Sequence, residues 1–100
     1  MNNPDRTAAL DEDTLSNATH DEIMSALFAS MVMQQSQMAF MLLGRTPHPE
    51  TGEVVRDLEG AKMFIDQLEM IEAKTRGNLD RNEEALLKQS LGALRMAFVE

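Results

Sequence analysis

LEGAKMFIDQLEMIEAKTRGNLDRNEEALLKQSLGALRMAFV, Leu58 to Val99, carries two amphipathic helical patterns parted by residues that stop a helix. In the first, Leu58, Ala61, Phe64, Ile65, Leu68 and Ile71 share one face at the helical period. In the second, Leu87, Leu91, Leu94 and Phe98 fall on one line, which Leu86, Ala93 and Ala97 widen. Gly77-Asn78-Leu79 divides them, with Gly77 suited to the left-handed residue of a Schellman turn. Asp57 and Asp80 stand where N-caps belong, and Glu83 gives Asp80 the spacing of a capping box. The pattern predicts helices over 58–76 and 81–99. So short a link makes them an antiparallel hairpin. Lys62 with Asp66 and Glu72 with Arg76 are spaced to pair on the wet side.

Upstream of the hairpin the chain changes character. Thr19 and Glu22 have capping-box spacing, and the helix they open is expected to run over 19–43, to Gly44 as a left-handed cap and Pro47 as a barrier. From Ile23 to Leu43 there is no charged residue, and fifteen of twenty-one positions are apolar. On a helical wheel, Ile23, Met24, Leu27, Phe28, Met31, Met38, Met41 and Leu42 cover one broad arc. Val32, Met33, Phe40 and Leu43 lie on the other side. A helix apolar on two sides must be covered on two sides, and one hairpin covers one. The second side is expected to pair with a copy of the chain, most simply as a two-fold dimer and otherwise as a tetramer. The expected interface residues are Phe28, Val32, Met33, Phe40 and Leu43. Met63 and Met70, seven apart on the outer face of the next helix, add exposed apolar surface.

The same helix admits other readings. Met24, Leu27, Met31 and Met38 form a candidate face for an apolar ligand, a lipid or a partner helix, since flexible thioethers adapt to varied shapes. A membrane span is not expected, because Ser and Gln fill the middle of the helix and no basic flank precedes it. Soft-metal ligation by Met31, Met33, Met38 and Met41 is disfavoured by side chains that point apart, and no cofactor or metal is expected.

Composition sets the outer bounds. One hundred residues make one domain, and a chain of that size buries only roughly 65% of its unfolded surface. The lack of cysteine removes disulfides and thiolate chemistry, and it favours a reducing, cytoplasmic compartment. No secretory signal pattern opens the chain. Nine basic against seventeen acidic residues give −8, of which residues 1–22 hold −5. With no basic stripe, no Trp and no Tyr, neither nucleic acid nor an anionic membrane surface is an expected partner. Residues 1–18 read as a disordered acidic tail, with Ala8–Leu10 as its one short candidate for docking; residues 19–100 read as the three-helix domain.

Candidates for chemistry are few. His48 lies near Glu50, Glu53 and Asp57 in the Pro-interrupted connection over 44–57, without metal-ligand spacing. His20 reads as exposed, and Glu59, Asp66 and Glu69 as a solvated face. Arg95 is placed to bridge to helix two or to a partner subunit. No catalytic constellation can be specified, so an enzyme is not expected.

From Gly44 onward the chain resembles a family of small bacterial proteins catalogued as a domain of unknown function. The residues that carry the likeness are the PHPETG loop (Pro47–Gly52), Asp57-Leu58, Ala61, Ile65-Asp66, Leu68, the KTRGNL turn (Lys74–Leu79), Glu83-Glu84, Leu86-Leu87, Leu94-Arg95 and Phe98-Val99. The apolar helix ending in Leu43-Gly44 fits as well. The resemblance implies a bacterial, cytoplasmic, helical protein and supplies no catalytic residues. The expected fold is therefore all-α: a long apolar first helix packed on an antiparallel hairpin and completed by homo-oligomerisation, serving as a structural or protein-interaction module.

Overall fold

Three helices, α1 (Glu12–Leu42), α2 (Leu58–Lys74) and α3 (Arg81–Val99), carry the architecture. The computed structural model describes the backbone of residues 12–100 and the side chains of residues 19–100. All three helices pack on one another, α1 against both arms of the α2–α3 hairpin. No strand occurs among the described residues; one isolated antiparallel bridge pairs Leu43 with Arg56.

Local chemistry marks the boundaries. The Asp57 carboxylate accepts from the Gly60 N–H at 3.0 Å and caps α2. At α3 the capping box is complete: the Glu83 N–H donates to Asp80 Oδ1 at 2.8 Å, and the Asp80 N–H donates to Glu83 Oε1 at 2.9 Å. α1 closes in a Schellman motif, with the Arg45 N–H on the Phe40 carbonyl at 2.9 Å and the Gly44 N–H on that of Met41 at 3.0 Å. Gly44 holds φ +78°, a conformation in which a side chain would be strained. The next orphan carbonyl, that of Leu42, accepts from the Asp57 N–H at 2.6 Å. The end of α1 is thereby tied to the start of α2 across the whole 44–57 connection.

Each helix contributes buried residues at alternating intervals of four and three. They are Val32, Ser36, Ala39 and Leu43 at α1, Ala61, Ile65 and Leu68 on α2, and Leu87, Leu91 and Leu94 on α3. That repeat lets knobs of one helix enter holes of the next at small crossing angles. Phe28, Phe40, Phe64, Ile71, Leu79, Leu86 and Phe98 seal the margins. The Ser36 hydroxyl is buried but donates to the Val32 carbonyl at 2.8 Å, so it enters the core satisfied. At the tip of the hairpin, the Ser25 hydroxyl donates to Glu83 Oε2 at 2.6 Å. Arg95 reaches from α3 to Glu69 of α2 through two nitrogens, at 2.9 and 3.1 Å.

Three expectations need correction. α1 starts at Glu12, seven residues before Thr19, so Thr19 and Glu22 lie within a continuing helix and form no cap. Nothing from Glu12 to Ala18 breaks a helix, and Glu12 and Asp13 favour the positive end of its dipole. Residues 1–11, with the Ala8–Leu10 segment, lie outside the described residues. Next, Val32 and Leu43 do not face a partner; they are 0% and 4% exposed in this chain's own core. Helices approach most closely where side chains are small, and Ser36 and Ala39 at the middle of the stripe let the hairpin come nearer than the Met-rich side would. Last, the Glu72–Arg76 pair does not form among the described residues, because α2 ends at Lys74 and Arg76 leaves the helical register. The Lys62–Asp66 pair does form, at 2.7 Å.

Two tests address this packing. Leu91→Ala empties a fully buried site and should lower stability by about 2–5 kcal/mol. Met96→Ala, at a side chain 66% exposed, should stay within about 0.5 kcal/mol. Urea titration followed by far-UV dichroism reads both. The second test asks one chemical change to give opposite signs. A Cβ at Gly60 would stand 2.8 Å from Asp57 Oδ2 and 3.1 Å from Leu42 Cδ1, whereas one at Gly92 meets nothing within 4 Å. Gly60→Ala should destabilise by about 1 kcal/mol through loss of the cap. Gly92→Ala should stabilise by about 0.5–1 kcal/mol through helix propensity.

Candidate protein-interaction surface

The side of α1 turned away from the hairpin has a periodicity of its own. Met24, Leu27, Met31, Gln34, Met38 and Met41 recur at intervals of three and four, centred about 140° around the helix from the buried stripe at 3.6 residues per turn. Met24 is 52% exposed, Leu27 61% and Met38 42%; Gln34 is exposed, and Met31 and Met41 are half-buried. Ile23, at 52%, flanks the row. The core is complete without the exposed members of this row. A 3.5-residue apolar repeat with one polar position is the surface a helix presents to another helix.

Of the residues expected at a partner interface, only Met33 is well exposed, at 51%, and it stands on the flank away from the Met24–Met41 row. Phe28 and Phe40 are half-buried against the core that holds Val32 and Leu43. Of the expected ligand face, Met24, Leu27 and Met38 are exposed together and Met31 leans into the core margin. The side of α1 expected to face a partner is thus the one that packs on the hairpin, and the side expected to pack is the open one. Ile23 and Met41, on the same arc of the helical wheel but outside the expected ligand face, belong with the open side as well.

The row ends in a groove. Gln34, Gln37, Met38 and Met41 on one wall and Thr46, Pro47 and Pro49 on the other enclose about 510 Å³, within the size range of small-ligand sites. The connection holds its shape through the His48 N–H on the Glu53 carbonyl and the Gly52 N–H on that of His48, each at 2.8 Å. His48 Nδ1 accepts from the Glu50 N–H at 3.1 Å, so one ring nitrogen serves the turn. Asp57, nine residues on, is committed to capping α2. Among the described residues, no three His, Asp or Glu side chains gather as a metal site would require.

At its other end α1 outruns the hairpin. Ser25 meets Asp80 and Glu83 at the hairpin tip, and every side chain from Thr19 to Met24 is exposed. At 1.5 Å per residue, the thirteen residues from Glu12 to Met24 extend about 20 Å past that contact. They contribute to a molecule 57 Å long and 17 Å thin. A second open strip runs along α2, where Met63 and Met70 are exposed beside Glu59, Lys62, Asp66 and Gln67. There the Asp66 carboxylate, hydrogen-bonded to Lys62, raises the lysine pKa above its ordinary value. No described helix is long and apolar enough to cross a membrane.

No curated protein and no solved structure matches this chain. A family model does, over residues 25–100, which takes in the open row from Leu27 onward, the Pro-rich connection and the hairpin. The chain belongs to the family described as Domain of unknown function (DUF1844).

Proposed function

We propose that this protein is a non-enzymatic interaction module that works by self-association through the open face of α1. The observation that carries the reading is the row of Met24, Leu27 and Met38, exposed beside a core that closes without them. Each such side chain is worth roughly 1.5–3 kcal/mol when fully buried, a drive to association that nothing else in the described chain absorbs. No charge interrupts α1 from Ile23 to Leu43, so a pairing there desolvates none despite a net −8. A two-fold dimer is the simplest closed form, and the Met63–Met70 strip offers a surface for a tetramer. A cytoplasmic setting belongs to the same proposal, resting on the cysteine-free composition.

The groove beside Pro47 and Pro49 supports a second reading, in which an apolar ligand, a lipid chain or a foreign helix seats against Met38 and Met41. The first reading is preferred because the row continues beyond the groove, through Leu27 and Met24, farther than a small ligand reaches.

Size exclusion with light scattering separates the two. The wild type should elute at about twice its chain mass of 11.2 kDa. Leu27→Glu/Met38→Glu should give a monomer with unchanged far-UV dichroism, because both side chains are exposed. Val32→Glu, by contrast, should lose cooperative unfolding, since it buries a charge in the core. A wild type that is monomeric at tens of micromolar, or a double variant that stays dimeric, would refute self-association through this face.

A further inference from the structure

Resting on the self-association just proposed, we infer that two copies pair their α1 helices antiparallel, each seating its protruding head in the other's Pro-rich groove. The axis of the pair passes between Met31 and Gln34. In this register Met24 of one copy meets Met41 of the other, Leu27 meets Met38, and Met31 meets Gln34. Every residue of the open row then has a partner from the same row, as a seam with a 3.5-residue repeat requires.

Charge decides the direction. Residues 12–22 of α1 carry −4, from Glu12, Asp13, Asp21 and Glu22, while Ile23 to Leu43 carry nothing. A parallel pair would lay two acidic heads side by side, with Asp21 and Glu22 opposite their own copies. Like charges held together in that way oppose association. The antiparallel pair sends the heads to opposite ends. It also brings Asp21 and Glu22 alongside the Arg45 end of the other helix, where the guanidinium is exposed and bound to Glu100.

Shape agrees with charge. The groove of Gln37, Met38, Met41, Thr46, Pro47 and Pro49 lies where α1 has ended and the chain turns away. That is where the antiparallel register delivers the other copy's segment from His20 to Leu27, whose Ile23, Met24 and Leu27 stay more than half exposed in their own chain. The head is therefore the groove's occupant, and the groove is incomplete without it. Gln34, the only polar member of the row, sits beside the axis. Its amide and that of the second copy come within reach of each other there, and a single polar pair of this kind selects one register over slipped ones.

The absence of native cysteine makes the test direct. Met24→Cys and Met41→Cys are prepared as two single variants of the full chain, one with an affinity tag, then mixed, allowed to exchange subunits and oxidised with diamide. The mixture should give a disulfide-linked heterodimer on non-reducing gels, and neither variant alone should give a linked product. In an antiparallel pair of the Met24→Cys variant the two thiols lie about 26 Å apart, at 1.5 Å per residue over seventeen residues, far beyond the reach of a disulfide. Rapid linkage of the Met24→Cys variant to itself would overturn the antiparallel arrangement while leaving self-association through α1 intact. A dimer by light scattering that links in neither combination would overturn this register, and if Leu27→Glu/Met38→Glu also stayed dimeric it would remove α1 as the interface. A monomer by light scattering would refute the self-association on which the inference rests.

Discussion

The contact on which everything else depends is that between the small-residue stripe of α1 and the cleft between α2 and α3. Ser36 and Ala39 carry little bulk between Val32 and Leu43, which lets α1 seat closely there, and Leu68, Leu87, Leu91 and Leu94 close over it with no exposure above 1%. Deep seating has a geometric consequence. A helix sunk along one narrow line cannot turn its whole girth to the same neighbours, and Met24, Leu27 and Met38 are left facing out. The open Met-rich row follows from how the core was made. It is the remainder of a helix with more apolar surface than one hairpin can cover.

Much of this was readable in the sequence, and the exceptions are instructive. The hairpin followed from Asp57, Gly77 and Asp80, because caps and left-handed residues act locally and need no knowledge of the rest of the chain. The excess of apolar surface on α1 was equally plain. The choice between its two sides was not, since periodicity counts apolar positions without regard to size. Leu27 and Met38 look like better core residues than Ser36 and Ala39 until close approach is weighed against bulk. The start of α1 was misplaced for a related reason. Thr19 and Glu22 have a cap's spacing, but a cap works only where the preceding residue leaves the helix, and no residue from Glu12 to Ala18 forces it out.

The same distinction applies to the candidates for chemistry. His48 and Asp57 stand close in sequence and suggest a polar site, yet each has a local structural task, one in the turn of the connection and the other at the head of α2. Arg95 shows the opposite case, a charged side chain expected to bridge either to helix two or to a partner subunit, which meets Glu69 of α2. The polar side chains that stand out in the sequence, Asp57, Asp80, Glu83, His48 and Arg95, are taken up in ending helices, shaping the connection or joining helices. The exposed apolar row has no such task, which is why the proposed function falls on a docking face.

One feature of the connection reaches beyond folding. The hydrogen bond from Asp57 to Leu42 and the bridge from Leu43 to Arg56 shut the loop at its neck, so the residues between them hang outside the load path of the bundle. Doubling the length of such a loop changes its closure entropy by only about 0.6 kcal/mol. Yet Thr46, Pro47 and Pro49 form one wall of the groove at the end of the open row. Drift in loop length or composition would leave the bundle standing while reshaping the groove. The stability of the fold is thus insulated from the very segment that walls its main concavity.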